Sequence, residues 1–311
     1  TEPLRPARAA GDGWRASVLT GALAAGMLLL GASDARAQLV TQCSGEVSIP
    51  SLASTCSAAV QTLHGVRDGL GVGHSGASAL PGTSSALGRR FGVTPRFALA
   101  GRVGMVRFDR VTPDAWSSSG SSSGWSPVFG LSAGLGLFDG FSPAPTVGGV
   151  LAVDLLGDLS TLRLPSGDGF DEASVAWGYG ARIGILRESF TLPGASLAVM
   201  RRSGASFSTS GVEGSLDADV TTTSVRATVG KELLGFGVHG GAGWDRSSAD
   251  GRLVAAPGGV TAATVDFNDE SATRFVVFGG VARTFVVTSI GFDAGWTDGV
   301  VFGSVSLRLT I

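Results

Sequence analysis

The chain has 311 residues, 43% of them hydrophobic and only 15% charged, with 49 glycines, one tyrosine and a formal net charge of -2. A charged share well below the usual figure of about 25% excludes a densely solvated surface, and the apolar content excludes a disordered chain. The near-neutral balance argues neither for a nucleic-acid partner nor against a membrane, and no nucleic acid is expected.

Arg5, Arg8 and Arg15 stand before or at the start of the apolar run ASVLTGALAAGMLLLGA, and Ala35-Arg36-Ala37 follows as a small-x-small cleavage pattern. This predicts a signal peptide over residues 1–37, cut after Ala37. The run is short for a spanning helix, and no later stretch is long and apolar enough to be one. The mature protein is therefore expected to be exported, with any membrane span built from strands.

Cys43 and Cys56 are the only cysteines. In an oxidising compartment an even pair predicts a disulfide. His64 and His74 stand at no zinc spacing, so no metal and no cofactor is expected. Pro50 and Ser51 open a helix over SLASTCSAAVQTLH, where Leu52, Cys56, Ala59, Val60 and Leu63 recur at helical spacing. The glycines of GLGVGHSG lack the strand–helix unit that a phosphate loop needs. Residues 38–94 are expected to form a periplasmic cap or a partial plug carrying one disulfide.

From residue 95 onward, period-two segments recur and predict an all-β unit. About ten strands (8–12) are expected, near 96–108, 127–138, 147–162, 173–186, 195–207, 219–230, 235–246, 273–283, 286–297 and 300–311. Long connections (109–126, 163–172, 208–218, 247–272) alternate with short ones (139–146, 187–194, 231–234, 284–285). An even number of strands puts both ends of a barrel on the short-turn side.

One face of these strands is oily, as in Leu99, Val103 and Met105, or Val175, Trp177 and Tyr179. The other is glycine, serine and alanine, with Arg102, Asp154, Asp158, Arg182, Arg202, Arg226, His239, Asp245, Asp293 and Arg308 scattered along it. Small side chains and mixed charges suit the lumen of a narrow barrel, so these ten residues are predicted to line it and the oily face to meet lipid. Arg274 joins them by analogy, because both faces of its strand are apolar. Arg201 falls on the lipid side. Trp125, Trp177, Trp244 and Trp296 would all lie at the extracellular interface, where aromatic rings prefer to sit.

On these features residues 95–311 resemble the bacterial outer-membrane β-barrel proteins as a broad class. The final strand VFGSVSLRLTI is similar to their C-terminal assembly signal, although it ends in Ile311 and not in an aromatic residue. The resemblance implies a closed antiparallel transmembrane barrel in the outer membrane of a Gram-negative cell. It implies outer-membrane lipids, lipopolysaccharide and the barrel-assembly machinery as partners, and gives no small-molecule cargo.

Three functions fit such a barrel. The first is a narrow, porin-like channel or transporter for small polar solutes; the second is a structural or surface-interaction barrel with a closed lumen. The third is an outer-membrane hydrolase. His239 and Asp245 share a face, but six residues of strand separate them by about 20 Å, too far for an acid–base pair. No Ser–His arrangement is legible, so no enzymatic activity is expected. The long connections carry an excess of carboxylates, among them Asp266, Asp269 and Glu270, which would give any pore a weak cation preference.

Overall fold

The structure, a computed structural model, describes residues 39–43, 50–90, 94–110, 116, 122–143, 147–164, 169–170 and 173–311. The predicted signal peptide lies outside the described residues, as do Asp114, Asp168, Asp171 and Glu172 of the long connections. Period-two alternation gives ten strands: β1 (Phe97–Arg110), β2 (Ser122–Phe138), β3 (Val153–Leu162), β4 (Ser174–Leu186) and β5 (Gly194–Gly211) come first. β6 (Gly214–Leu233), β7 (Phe236–Ala255), β8 (Ala263–Phe285), β9 (Thr288–Thr297) and β10 (Val300–Thr310) complete the set. Each pairs antiparallel with its sequence neighbour, and β10 pairs with β1 from Val301–Arg107 to Thr310–Ala98. The sheet is a closed barrel, and closure leaves no unpaired edge.

The connections differ from expectation. Strands β5 to β8 run for 18 to 23 residues, against 10 to 17 for the others. The stretches 208–218 and 247–272, expected as long loops, are strands for most of their length, and Val212-Glu213 alone joins β5 to β6. Their alternation explains this, since Phe207, Leu216, Ala218, Val220, Ala249 and Leu253 all point inward and are buried. Between β5 and β8 the asymmetry between the two ends therefore lies in strand height, and this side of the barrel rises as a tall rim. At the short-turn end the β2–β3 connection is longer than expected. It holds the isolated bridge Phe141–Val150 and a left-handed Leu151, so β3 begins at Val153, not near 147.

The polarity of the two faces inverts along the barrel. In the lower part the outer face is apolar, with Leu99, Val103, Leu155, Ile183, Val199 and Phe292 exposed, while the inner face carries arginine and aspartate. That arrangement belongs in hydrocarbon. Toward the tall rim the inner face turns apolar (Val106, Phe108, Phe207, Leu216, Phe267) and the outer face turns polar (Asp217, Asp219, Arg246, Asp250). The barrel is thus a membrane span continued upward as a tower with the polarity of a soluble protein.

A long helix fills the interior, and the helical run 39–43 packs with it through Leu39 and Cys43. Helix α1 (Pro50–Ser75) starts with proline in its first turn, where the missing N–H costs nothing, and Gly76 in the left-handed region follows its end. It was expected to stop at His64 and instead continues eleven residues through the glycine-rich stretch. Glycine weakens an exposed helix by about 1 kcal/mol relative to alanine, but here the space is already occupied. A Cβ on Gly69 would lie 2.4 Å from the Phe108 ring, and one on Gly73 would lie 2.5 Å from Leu162. The glycines let a 26-residue helix stand inside ten strands. Among the described residues no helix is long and apolar enough to cross a membrane itself.

The direction of α1 corrects a second expectation. Thr62 accepts a hydrogen bond from Trp116 of the β1–β2 connection at 3.2 Å, whereas Leu87 and Gly88 reach Asp154 near the start of β3. The helix therefore enters at the tall rim and descends toward the short turns. Cys43 and Cys56 form a disulfide, both buried in the apolar cluster of the tower with Trp116, Phe170 and Leu216. The pair was expected on the periplasmic side with the strand termini; it sits at the opposite end, because the helix that carries Cys56 begins there. Thiol labelling of denatured, unreduced protein is expected to find neither sulfur. Reduction should lower stability by about 3 kcal/mol, the chain-entropy value for so short a loop.

Candidate functional site: the plugged lumen

The lower lumen is built from inward positions of all ten strands meeting the lower half of α1 and the segment 76–88. Asp154 on β3 faces Arg182 on β4 in the same cross-strand row, with Nε 2.9 Å from Oδ2. The same carboxylate accepts the N–H of Leu87 at 2.9 Å and of Gly88 at 3.1 Å. It is fully buried, and it ties the plug to the wall.

Two further pairs span a strand that lies between them. Asp158 and Arg202 meet at 2.7 Å across Gly178, where a Cβ would stand 2.3 Å from the carboxylate. His239 and Asp293 meet at 2.6 Å across Gly280 in the same way. The inward glycines are the gaps through which these side chains reach each other. Arg226 pairs with Asp245 at 2.7 Å. Arg202 also donates to Ser224 at 2.9 Å.

Arg102 and Arg308 hold the plug itself. Arg102 donates to the His74 carbonyl at the end of α1, where a cation also complements the helix dipole. Arg308 donates to the Pro81 carbonyl at 2.8 Å. The ten residues that the sequence placed in the lumen lie on the inward parity, eight of them in four separate ion pairs and two clamped on plug carbonyls. Sequence reasoning missed their partners on the plug, because a backbone carbonyl leaves no mark in a residue pattern.

A second network lies higher, and only Arg274 of it was anticipated. Arg67 is buried, pairs with Asp68 at 2.9 Å and donates to the Glu270 carbonyl at 3.0 Å. Asp68 also accepts from Arg274 Nε at 3.0 Å, and Arg274 reaches Asp298 at 2.9 Å. The signal was the Val66-Arg67-Asp68 step inside the glycine-rich stretch, a charge pair in a segment otherwise free of charge. Glu270 lies in the tower, where burial raises its carboxyl above the ordinary range. Beside this network a cleft of about 820 Å³ opens at the rim, lined by Gln61, His64, Asp68, Asp109, Arg274 and Asp298 among others.

His239 has its carboxylate on β9 and not on its own strand, so the 20 Å separation from Asp245 is immaterial. The pair is buried, and its hydrogen bond is to Asp293. Among the described residues no cluster of three histidine, cysteine or acidic side chains could hold a metal.

Several solved structures align with this chain. The translocator domain of the autotransporter NalP from Neisseria meningitidis aligns at 12% identity, over 70% of this chain and 87% of that one, with a TM-score of 0.39. The outer membrane protease OmpT from Escherichia coli aligns at 8% identity, over 70% and 96%, with a TM-score of 0.36. The Pseudomonas putida toluene transporter TodX aligns at 10% identity, over 75% and 96%, with a TM-score of 0.27. No family model matches the sequence, and no curated protein does.

Proposed function

We propose that this chain is an outer-membrane barrel sealed by its own N-terminal helix, and that its role is structural or surface-interacting, carried by the tower. Outer-membrane barrels keep their strand termini and short turns in the periplasm, so the tower, the disulfide and the rim cleft would face the outside. The carrying observation is that α1 stands in the lumen while Arg102, Arg182, Arg202, Arg226, Asp245 and Asp293 around it are buried. A channel for small polar solutes would keep such groups wet. The apolar core of the tower adds a second closure above the ion pairs.

The same burial argues against a hydrolase, since the His239–Asp293 pair is enclosed in the lumen and its two members hydrogen-bond each other. The final strand fits recognition by the assembly machinery during insertion. Planar-bilayer recording tests the reading. Inserted wild-type protein, verified by heat-modifiable migration in detergent gels, is expected to give no steady openings. Steady single-channel conductance would overturn it and restore the narrow channel, for which the acidic rim predicts cation preference.

A further inference from the structure

The wall where the polarity inverts carries two outward arginines. Arg201 on β5 is exposed and points to the same side as Val199 and Leu197. Among the described residues no carboxylate lies within ion-pair distance of it. A lone cation on the lipid side of a barrel is costly unless something anionic meets it.

Its neighbours in the sheet are matched to it. One cross-strand row runs Tyr179, Arg201, Thr223, Arg246 and Thr273 over β4 to β8. All five point outward, so two guanidinium groups flank one threonine at two inter-strand spacings, about 9.6 Å. A cleft of about 450 Å³ lies over that threonine, lined by Arg201, Thr223, Arg246, Thr273 and the carboxylate of Asp269 among others, with Trp244 and Val225 at its lower edge. Arg246 has only a loose, exposed contact with Asp269 at 3.9 Å, which holds it weakly. The row below is apolar, running Val199, Val225, Trp244 and Phe275. Donors therefore stand directly above an acyl-binding surface.

We infer that the Arg201–Arg246 cleft binds the phosphate of a membrane lipid whose chains lie on Val199, Val225, Trp244 and Phe275. The inference rests on the outer-membrane reading but not on the sealed lumen. Two guanidiniums supply charge-assisted, geometrically paired donors to phosphate oxygens, and the threonine hydroxyls complete the set. A free phosphate ion would gain nothing from the apolar row.

Native mass spectrometry of the full chain, released from phosphatidylcholine nanodiscs containing a minor share of phosphatidic acid, tests this. Wild type should retain phosphatidic acid in excess of its share, and Arg201→Gln/Arg246→Gln, which removes two charge-assisted contacts, should cut that excess by at least about tenfold. Arg201→Lys should retain part of it, which keeps the test informative if the double variant inserts poorly. Equal retention in wild type and double variant would overturn the site. So would full displacement by inorganic phosphate, because the site would then hold a free anion. Heat-modifiable migration, read alongside, separates failure of the site from failure of the barrel.

Discussion

Replacing Asp154 by alanine is expected to destabilise the refolded barrel by about 3–5 kcal/mol, the range for breaking one side of a buried ion pair. The carboxylate is inaccessible and serves Arg182 and two plug amides together. Its removal strands a guanidinium and two N–H groups in a site without water access. Urea unfolding in detergent micelles, followed by tryptophan fluorescence, measures the loss. The variant Asp154→Ala/Arg182→Met should recover much of it, because no uncompensated charge remains. An Asp154→Ala effect no larger than that of Asp266→Ala, in the exposed Arg252–Asp266 pair, would mean that the lumen ladder holds nothing.

Gly69→Ala should also destabilise, by about 1–3 kcal/mol, although the same change in an exposed helix gains about 1 kcal/mol. The new Cβ would fall against the root of the Phe108 ring, which is buried and cannot swing clear as a longer, flexible chain would. Phe108→Ala alone removes a core aromatic and costs about 3–5 kcal/mol. The double variant should be clearly more stable than the sum of the two changes implies, since the collision is gone. Strict additivity would place the helix elsewhere. Bilayer recordings of Gly69→Ala should also show openings absent from wild type, because a plug that cannot seat leaves the polar lumen open.

Much of the barrel was legible because strand alternation is a local property. Leu99, Val103 and Met105 declare one face without reference to any other strand, and ten such segments give the count. The lumen set was legible for the same reason. Arg102, Asp158 and Asp293 share a parity, and parity alone decides inside from outside in the membrane. The reading failed where the rule itself changes. Above the bilayer Phe108, Phe207 and Leu216 occupy the inward parity, so a single rule applied along the whole strand turned the tower into loops. Arg201 looked like a violation for that reason; it marks the level at which the solvent outside the wall changes from lipid to water.

The plug was the harder part. Four glycines between Gly69 and Gly76 suggest a loop under any scale of helix propensity, and propensity describes a helix exposed to water. Inside ten strands the backbone has no water to bond, and the helix supplies every interior amide with a partner. The direction of the helix has no local signature at all, since it depends on contacts such as Arg67–Glu270 and Arg308–Pro81, which join residues 203 and 227 positions apart.

Those separations also set an order of events. The plug has early anchors on β1 and β3, at Arg102 and Asp154, but its contacts on β8 and β10, which are made last, form only when the wall around it is nearly complete. Contacts this remote in sequence carry a large loop-closure cost before they return any stability, and chains rich in them fold slowly. Until then the apolar side of α1, with Leu63, Val66 and Leu70, has no cover of its own. The segment that precedes the wall in the chain is the last to be fully enclosed by it.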